Sequence, residues 1–574
     1  MSMANIIAEK SLPKAKQWQV KGVDPFLQKE MSDALGIHPI IAQLLVNRQI
    51  TTVQEARLFL SADLASLYNP FLLTDMDRAV ERIEQAAKSY EKVLIYGDYD
   101  VDGVTSSALL RRILKRLGIS AMNYIPHRME EGYGLNVSIA QFAQEQGIHL
   151  LITVDCGINA FEPIAALMAQ GIDVIVIDHH EPDADKIPPA LAVIDPKRPD
   201  CLYPSKNLSA VGLVAKLAQA IFGVIPEEDL DLVAIGTVAD VVPLRGENRI
   251  FVKRGLPLIE HTLKHGLRAL LDIAKISGKK MKPYYIGFIL GPRLNAAGRM
   301  DSANISLDLL LCEDPISAMA LAQSLESHNV SRQKMQLSVV EEAIAMIEGD
   351  LALKESQIIV VAKQGWHKGV LGIVASRIVE KYYKPTVVIS VEEGLGTGSA
   401  RSIEGFHLHT ALASCAAMLE NYGGHKRAAG LRVKHEHIDA FRLAINQFAK
   451  GALTGVQMMP TLELDCEIPL SSIDLGLVEI IESMEPHGEG NPAPVFCTRG
   501  VVVKSIPAVL GRDTIKFWVT DGAKSLSAVG FGMSAFKDLI KLVTKVDIAY
   551  TLGIDDWNKA PTAQLLLKDI KISQ

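Results

Sequence analysis

The segment Gly97-Asp98-Tyr99-Asp100-Val101-Asp102-Gly103 crowds three carboxylates into five residues. Like charges at that spacing repel unless a cation offsets them, which makes the cluster a candidate metal loop. Taken alone it is equally well a solvated acidic turn. It also matches the first half of a calcium-binding EF-hand loop, but Leu109 stands where that loop needs its bidentate Glu, and a strand replaces the entering helix. Further ligand-type residues occur as Asp155 in Val154-Asp155-Cys156-Gly157, as Asp178-His179-His180, and as Asp240. A lone histidine is usually a hydrogen-bonded structural residue, whereas tandem histidines after an aspartate are far more particular. Converging in one place, these six carboxylates and two imidazoles make a two-metal centre. Oxygen and imidazole donors suit Mn²⁺ or Mg²⁺ better than a structural Zn²⁺, which favours thiolates. Two divalent cations about 3.5 to 4 Å apart can activate a water and stabilise both oxygens of an in-line phosphoryl displacement.

Such residues need a scaffold that gathers them. Short apolar runs at 93–96, 150–154, 174–177 and 191–194 alternate with amphipathic stretches, the pattern of a parallel sheet covered on both faces. Ligands bind such sheets at the carboxyl ends of the strands, and Asp98, Asp155 and Asp178 follow strand ends closely. The apolar segment LVAIGTVA before Asp240 is counted as a further such end. Asp314-Pro315 caps a stretch from Ile316 to Glu348 that lacks Gly and Pro, which predicts a long helix joining two domains. A second α/β unit follows, with apolar runs at 357–362 and 385–390, and ends near Gly451. Between Glu463 and Glu489 there are eight acids and no Lys or Arg, whereas Cys497 to Gln574 holds eleven basic and seven acidic residues. The runs VVVKSI, TIKFWVT and SLSAVGF in this last part predict a small β-barrel. Ile515, Phe517 and Val519 alternate there with Lys516, Trp518 and Thr520. If the first set faces the core, Trp518 either stacks on a base beside a cation or packs under a loop.

A chain of 574 residues with 48% hydrophobic content can bury several cores. Its net charge of −7 gives no global attraction to nucleic acid, so phosphate binding must come from local Arg and Lys. Six widely spaced cysteines without a C-x-x-C pair argue against a zinc site or disulfide framework and fit reduced thiols. No targeting pattern opens the sequence and no apolar stretch reaches membrane-spanning length. A soluble, cytoplasmic protein with no membrane association is expected.

GDYDVDG, VDCG, DHH and GTVAD, in this order, resemble the four motifs of the DHH phosphoesterase superfamily. PRLNAAGR at 292–299, SARS at 399–402 and Gly423-Gly424-His425 extend the resemblance over roughly residues 70–570, to the branch of single-strand-specific exonucleases that act from the 5′ end. The fold class implied is α/β: a DHH parallel-sheet domain joined by a long helix to a smaller α/β DHH-associated domain, plus a C-terminal OB-type β-barrel. The expected boundaries are an N-terminal extension at 1–70, the catalytic domain at 71–313, the connecting helix at 314–349, the DHH-associated domain at 350–452 and the OB-like domain at 453–574. The resemblance implies that Asp98, Asp100, Asp102, Asp155, His179 and Asp240 hold two divalent cations, Mn²⁺ or Mg²⁺, with Asp100 and Asp102 also acting in catalysis. His180 then faces the scissile phosphate, and Asp178 orients the imidazoles from behind. Arg128, Asn295, Arg299, Ser399 and Arg401 would hold a 5′ phosphate, where the planar fork of Arg suits bidentate grip. Gly423, Gly424 and His425 are substrate-binding candidates, as is Trp518, while His367 reads mainly as structural.

The implied activity is 5′ to 3′ degradation of single-stranded DNA to mononucleotides, in recombination and repair. A monomer is implied, with single-stranded DNA as substrate and a single-strand binding protein and a RecQ-type helicase as partners. A DHH phosphodiesterase of short oligonucleotides or cyclic dinucleotides would share the motifs but not need the barrel. A non-catalytic DNA-binding scaffold would show gaps in the ligand set, and a phosphoaspartate receiver has no use for tandem histidines.

Overall fold

The computed structural model describes residues 15–127, 134–183, 186–300, 302–453, 459–511, 513–555 and 560–573. Its first sheet has five parallel strands in the order Ala121–Tyr124, Val93–Gly97, Leu150–Val154, Asp173–Ile177 and Ala192–Ile194. Every residue of Val93–Gly97 and of Leu150–Val154 is buried, as the unbroken apolar runs require when helices cover both faces. The strand order reverses between these two, which is where open α/β sheets place a ligand.

The register aligns Gly97 with Val154, Val154 with Ile177, and Ile177 with Ile194. Consequently Asp98, Asp155, Asp178 and Asp195 emerge in one row along the carboxyl edge. The amides of Asp98, Asp155 and Asp178 still donate across it, to Val154, Ile177 and Ile194 at 3.3, 3.0 and 3.1 Å.

One expectation is corrected. The apolar segment before Asp240 is not a strand end but the helix Leu230–Ala239. It is apolar nearly all round because the helices Val101–Arg116, Ala210–Phe222 and Gly246–Glu260 pack about it, so no amphipathic period marks it as helical.

The long helix runs Pro315–Gly349, with the Asp314 carboxylate accepting from Ser317 N at 2.7 Å. It leads to a mixed sheet ordered Leu419–Gly424, Ala428–Lys434, Leu395–Arg401, Thr386–Glu392 and Ile359–Gln364, in which only the last pair is parallel. Further on, Phe496–Val503, Lys545–Asp555, Thr562–Ile572, Ser525–Phe531 and Thr514–Thr520 form a ring that closes through Val502 against Thr520.

Helices of the expected N-terminal extension share the core of this ring unit. Met31, Leu44 and Phe59, from the helices Pro25–Leu35, Pro39–Asn47 and Val53–Ser61, pack in one cluster with Leu470, Phe496 and Ile515. The strand Gln17–Val20 pairs in parallel with Thr461–Leu464. Arg249 fastens this composite unit to the unit built on the parallel sheet, donating to the carbonyls of Phe59, Glu485 and Pro486 at 2.8, 3.0 and 3.3 Å. Among the described residues no helix is long and apolar enough to cross a membrane.

Candidate metal centre and substrate face

The loop after Val93–Gly97 is shaped by its own carboxylates. Asp100 is the N-cap of Val101–Arg116, its Oδ1 accepting from Asp102 N at 2.9 Å and Gly103 N at 3.2 Å. The helix backs onto the loop so closely that a Cβ on Gly103 would stand 2.4 Å from the Asp98 carbonyl. Asp102 is buried and receives the amides of Ala210 at 2.7 Å and Val211 at 3.0 Å, at the N-terminus of Ala210–Phe222. Oriented amides and the helix dipole stabilise a carboxylate there. Asp155 is held at φ 63°, a left-handed conformation uncommon for a side-chain-bearing residue and typical of functional sites.

His179 is the hub. Its Nε2 lies 3.2 Å from Asp155 Oδ1, 3.6 Å from Asp240 Oδ2 and 4.0 Å from Asp102 Oδ2. Burial and His180 hold the His179 pKa down to about 4, so the ring is neutral and these approaches are not ion pairs. Burial and the neighbouring charges push Asp102 up to about 7, Asp240 up to about 9, and Asp155 well above the usual carboxylate range. Asp178 behaves in the opposite way. Burial would raise it, but the hydrogen bond and charge of His180 and the Ile158 amide hold it at about 2. Its Oδ1 takes the amides of His179 and His180 and lies 2.7 Å from His180 Nδ1, while Oδ2 takes the Ile158 amide. Burial alone would lower His180, yet Asp178, then Asp240 and Asp98, raise it to about 9.

The donor set fits divalent cations. Asp98, Asp100 and Asp155 bring one oxygen each within 4.8 Å of one another, as do the ligand atoms of Asp155, His179 and His180, and those of Asp102, His179 and Asp240. Asp155 and His179 each belong to two of these groups, so the three groups form one continuous cluster. His179 Nε2 and Asp240 Oδ2 are buried without a hydrogen-bond partner, and a buried polar atom in that condition calls for a partner such as an ion.

The matches to known proteins agree in order and extent. The DHH family N-terminal domain matches residues 92–237, the DHHA1 domain 355–451 and the RecJ OB domain 464–569. The single-stranded-DNA-specific exonuclease RecJ of Bacillus subtilis (strain 168) is 37% identical over 561 residues, covering 97% of this chain and 71% of its own length. That of Haemophilus influenzae is 34% identical over 567 residues, covering 94% of this chain and 97% of its own. The chain belongs to the RecJ family. RecJ of Thermus thermophilus in complex with Mn²⁺ superposes with a TM-score of 0.83 at 29% identity, over 97% of this chain and 80% of that one. Its Mg²⁺ complex gives 0.77 at 27% identity, over 97% and 79%. The oxygen and imidazole donors of this centre are of the kind that Mn²⁺ and Mg²⁺ take.

Arg299, Ser399 and Arg401 lie where the DHH and DHHA1 domains meet. Asn295 and Arg299 are half-buried on the helix Gly291–Met300. Gly298 of that helix abuts the metal loop, an added Cβ falling 3.0 Å from the Tyr99 carbonyl. Arg299 Nη1 donates to the Gly369 carbonyl at 3.2 Å. Three residues on, a Cβ on Gly372 would stand 2.9 Å from Arg401 Nη2 and 3.1 Å from Ser399 Oγ. Arg299, Ser399 and Arg401 thus gather around the start of the helix Leu371–Tyr382. Gly423, Gly430 and Ser399 lie in one cross-strand row, so the sheet floor beside Ser399 carries no side chain at two positions. Gly424 ends that edge strand, and His425 is exposed in the following turn, its amide donating to the Ala428 carbonyl at 2.8 Å. His367 caps Lys368–Val370, with Nδ1 accepting from Gly369 N. Arg128 lies outside the described residues. Trp518 is 45% exposed on the outer face of the ring while Ile515, Phe517 and Val519 are buried, and its neighbour Lys516 pairs with Asp555.

Asp195 was missed from sequence, although the strand-end rule applies to it. It is fully buried, its Oδ1 accepting from Lys197 N at 2.7 Å, and burial pushes it up to about 7. The two amides that hold Asp102, from Ala210 and Val211, carry no side-chain signal in a sequence.

Proposed function

We infer that this chain is a metal-dependent exonuclease specific for single-stranded DNA, hydrolysing it from the 5′ end to mononucleotides. The observation that carries this reading is the convergence of Asp155, Asp240 and Asp102 on His179 Nε2 at the sheet's carboxyl edge. Asp98, Asp100, Asp102, Asp155, His179 and Asp240 would hold the cations. Bound there, the cations would supply a water of lowered pKa and offset the charge that builds on the scissile phosphate. Asp178 fixes His180 through Nδ1, and the imidazole so oriented would donate a proton or hydrogen bond to a phosphate oxygen. Arg299, Ser399 and Arg401, with Asn295, would grip the terminal 5′ phosphate and so set the direction of attack. The glycine floor of Gly423 and Gly430 lets a strand lie close to the sheet. The ring domain argues for a long track rather than a dinucleotide substrate. A role in recombination and repair as a monomer, beside a single-strand binding protein and a RecQ-type helicase, belongs to the same proposal.

The test is degradation of 5′-labelled and 3′-labelled single strands with Mn²⁺ or chelator, by the wild type and by Asp155→Ala. Immediate mononucleotide release from the 5′ label, lost with chelator and in the variant, is expected. Hydrolysis confined to dinucleotides, or binding without cleavage, would overturn the proposal.

A further inference from the structure

The helical run Pro283–Met300 carries more than Asn295 and Arg299. Its inner side, with Ile286, Leu290 and Leu294, packs in one core with Ala234 and Ile235 of the helix that ends at Asp240. The contact is close enough that a Cβ on Gly291 would lie 3.9 Å from Ala239 Cβ. The outer side presents Tyr284 and Phe288, 60% and 72% exposed, with their rings stacked at 5.2 Å and 27°. Of the two stacked ring pairs among the described residues, this is the one with both members in solvent; Tyr96 of the other is buried. Residues Ile286–Leu290 form a π turn, a feature found frequently at functional sites.

Three further facts place the pair on a route. Exposed Lys275, Lys279 and Lys280 precede it in a chain whose net charge is −7, which is the mixture of cations and rings that single strands bind. Lys282 Nζ reaches Glu485 at 2.7 Å, tying the start of the run to the segment that enters the ring domain. On the other side Val241, next to Asp240, is exposed, and the Leu244 amide donates to the Glu489 carbonyl at 2.7 Å. The run that bears the exposed rings thus touches, on one side, the segment entering the ring domain and, on the other, the helix that leads to Asp240.

We propose that Tyr284 and Phe288 form a base-stacking platform for the single strand between the metal centre and the C-terminal ring domain, with Lys275, Lys279 and Lys280 meeting its phosphates. This rests on the exonuclease reading above. Stacking is indifferent to base identity, since every base has a π-face, which suits an enzyme that must move along any sequence.

The experiment uses the full chain as wild type, Tyr284→Ala/Phe288→Ala, and Tyr284→Phe/Phe288→Trp. Substrates are a 5′-phosphorylated thirty-nucleotide strand and a 5′-phosphorylated trinucleotide. Binding to the same strand and to an abasic strand of equal length is followed by fluorescence anisotropy in chelator. The alanine pair is expected to raise KM on the long strand and weaken its binding by about fivefold or more, leaving the trinucleotide and abasic strand unaffected, and the aromatic pair is expected to restore both. Equal loss on the abasic strand, or no change on the long strand while the wild type degrades it, overturns the platform. A wild type that degrades neither substrate instead overturns the exonuclease reading itself.

Discussion

Asp178 Oδ1 sits 2.7 Å from His180 Nδ1 and also accepts the His179 and His180 amides, while Oδ2 accepts from Ile158. One carboxylate thus fixes the backbone bearing a proposed metal ligand and the ring of its neighbour. Asp178→Asn keeps the volume but turns an amide toward N–H groups. Loss of such a supporting contact costs about 10- to 100-fold in metal affinity or activity. Mn²⁺ titration calorimetry and kcat should show this with an unchanged circular dichroism spectrum. Unaltered Mn²⁺ affinity and kcat would remove Asp178 from this role.

Ser399 and Arg401 project from alternate positions of one strand beside the start of Leu371–Tyr382. If they hold the terminal phosphate, their effect is confined to phosphorylated ends. A hydrogen bond to a charged group contributes about 1.5 to 3 kcal/mol, so Arg401→Ala should lower kcat/KM on 5′-phosphorylated strands about 10- to 100-fold. Strands with a 5′ hydroxyl should be cut as by the wild type. An equal fall on both would assign Arg401 to folding or to general DNA binding.

The centre was legible because parallel strands advertise themselves as unbroken apolar runs and their ends as the next polar residue. That is how the sequence alone places Asp98, Asp155 and Asp178 on one edge. The same signal failed for Leu230–Ala239, where burial on all sides erased the helical period. The shared core of the N-terminal helices and the ring joins residues more than 400 positions apart, such as Asn47 and Asp465, and no local pattern encodes such a pairing. Arg249 was equally silent: an arginine in a helix reads as solvent-exposed, yet here it is buried and satisfied by three carbonyls.

Arg249 yields a stability prediction. Its guanidinium lies 3.8 Å over the Phe59 ring and holds the catalytic domain to the composite terminal unit. Arg249→Met removes the donor of the Phe59 and Glu485 carbonyls, while Pro486 keeps Asn491 Nδ2 at 2.9 Å; each carbonyl left unmet costs about 1 to 3 kcal/mol, and the contact with the Phe59 ring is lost as well. Urea unfolding should show a loss of about 3 kcal/mol or more, or a separate early transition of the terminal unit. A change under about 1 kcal/mol would mean that water or other donors replace it.

His487 lies in the same junction. Burial holds it down to about 4 against an ordinary 6.5, opposed by Glu485 and assisted by Arg48 and Arg249. Between these values the unfolded chain takes up a proton that the folded chain refuses. The contribution of His487 to stability is therefore complete above about 6.5 and declines as pH falls toward 4. The melting temperature of the wild type should fall more steeply from pH 7 to pH 5 than that of His487→Gln. Parallel slopes would show that His487 does not titrate in this range.

Gly236 lies inside the buried helix Leu230–Ala239, and its lack of a side chain lets that helix press on Val101–Arg116. A Cβ there would stand 2.3 Å from Thr105 Oγ1 and 2.8 Å from Asp102 Oδ1. In its favour Gly236→Ala gains helix propensity of about 1 kcal/mol. Overpacking a filled core costs about 1 to 3 kcal/mol, and Thr105, whose hydroxyl donates to the Val101 carbonyl at 2.7 Å, cannot turn away freely. The net stability change is thus modest, and the larger effect falls on Asp102, which the Ala210 and Val211 amides hold in one orientation. Displaced from them, Asp102 would lose the alignment that brings it toward His179. Gly236→Ala is therefore expected to weaken Mn²⁺ binding and turnover at least tenfold while shifting the melting temperature by only a few degrees. A variant that melts early but retains wild-type Mn²⁺ affinity would place the strain in the helix contact and not at Asp102.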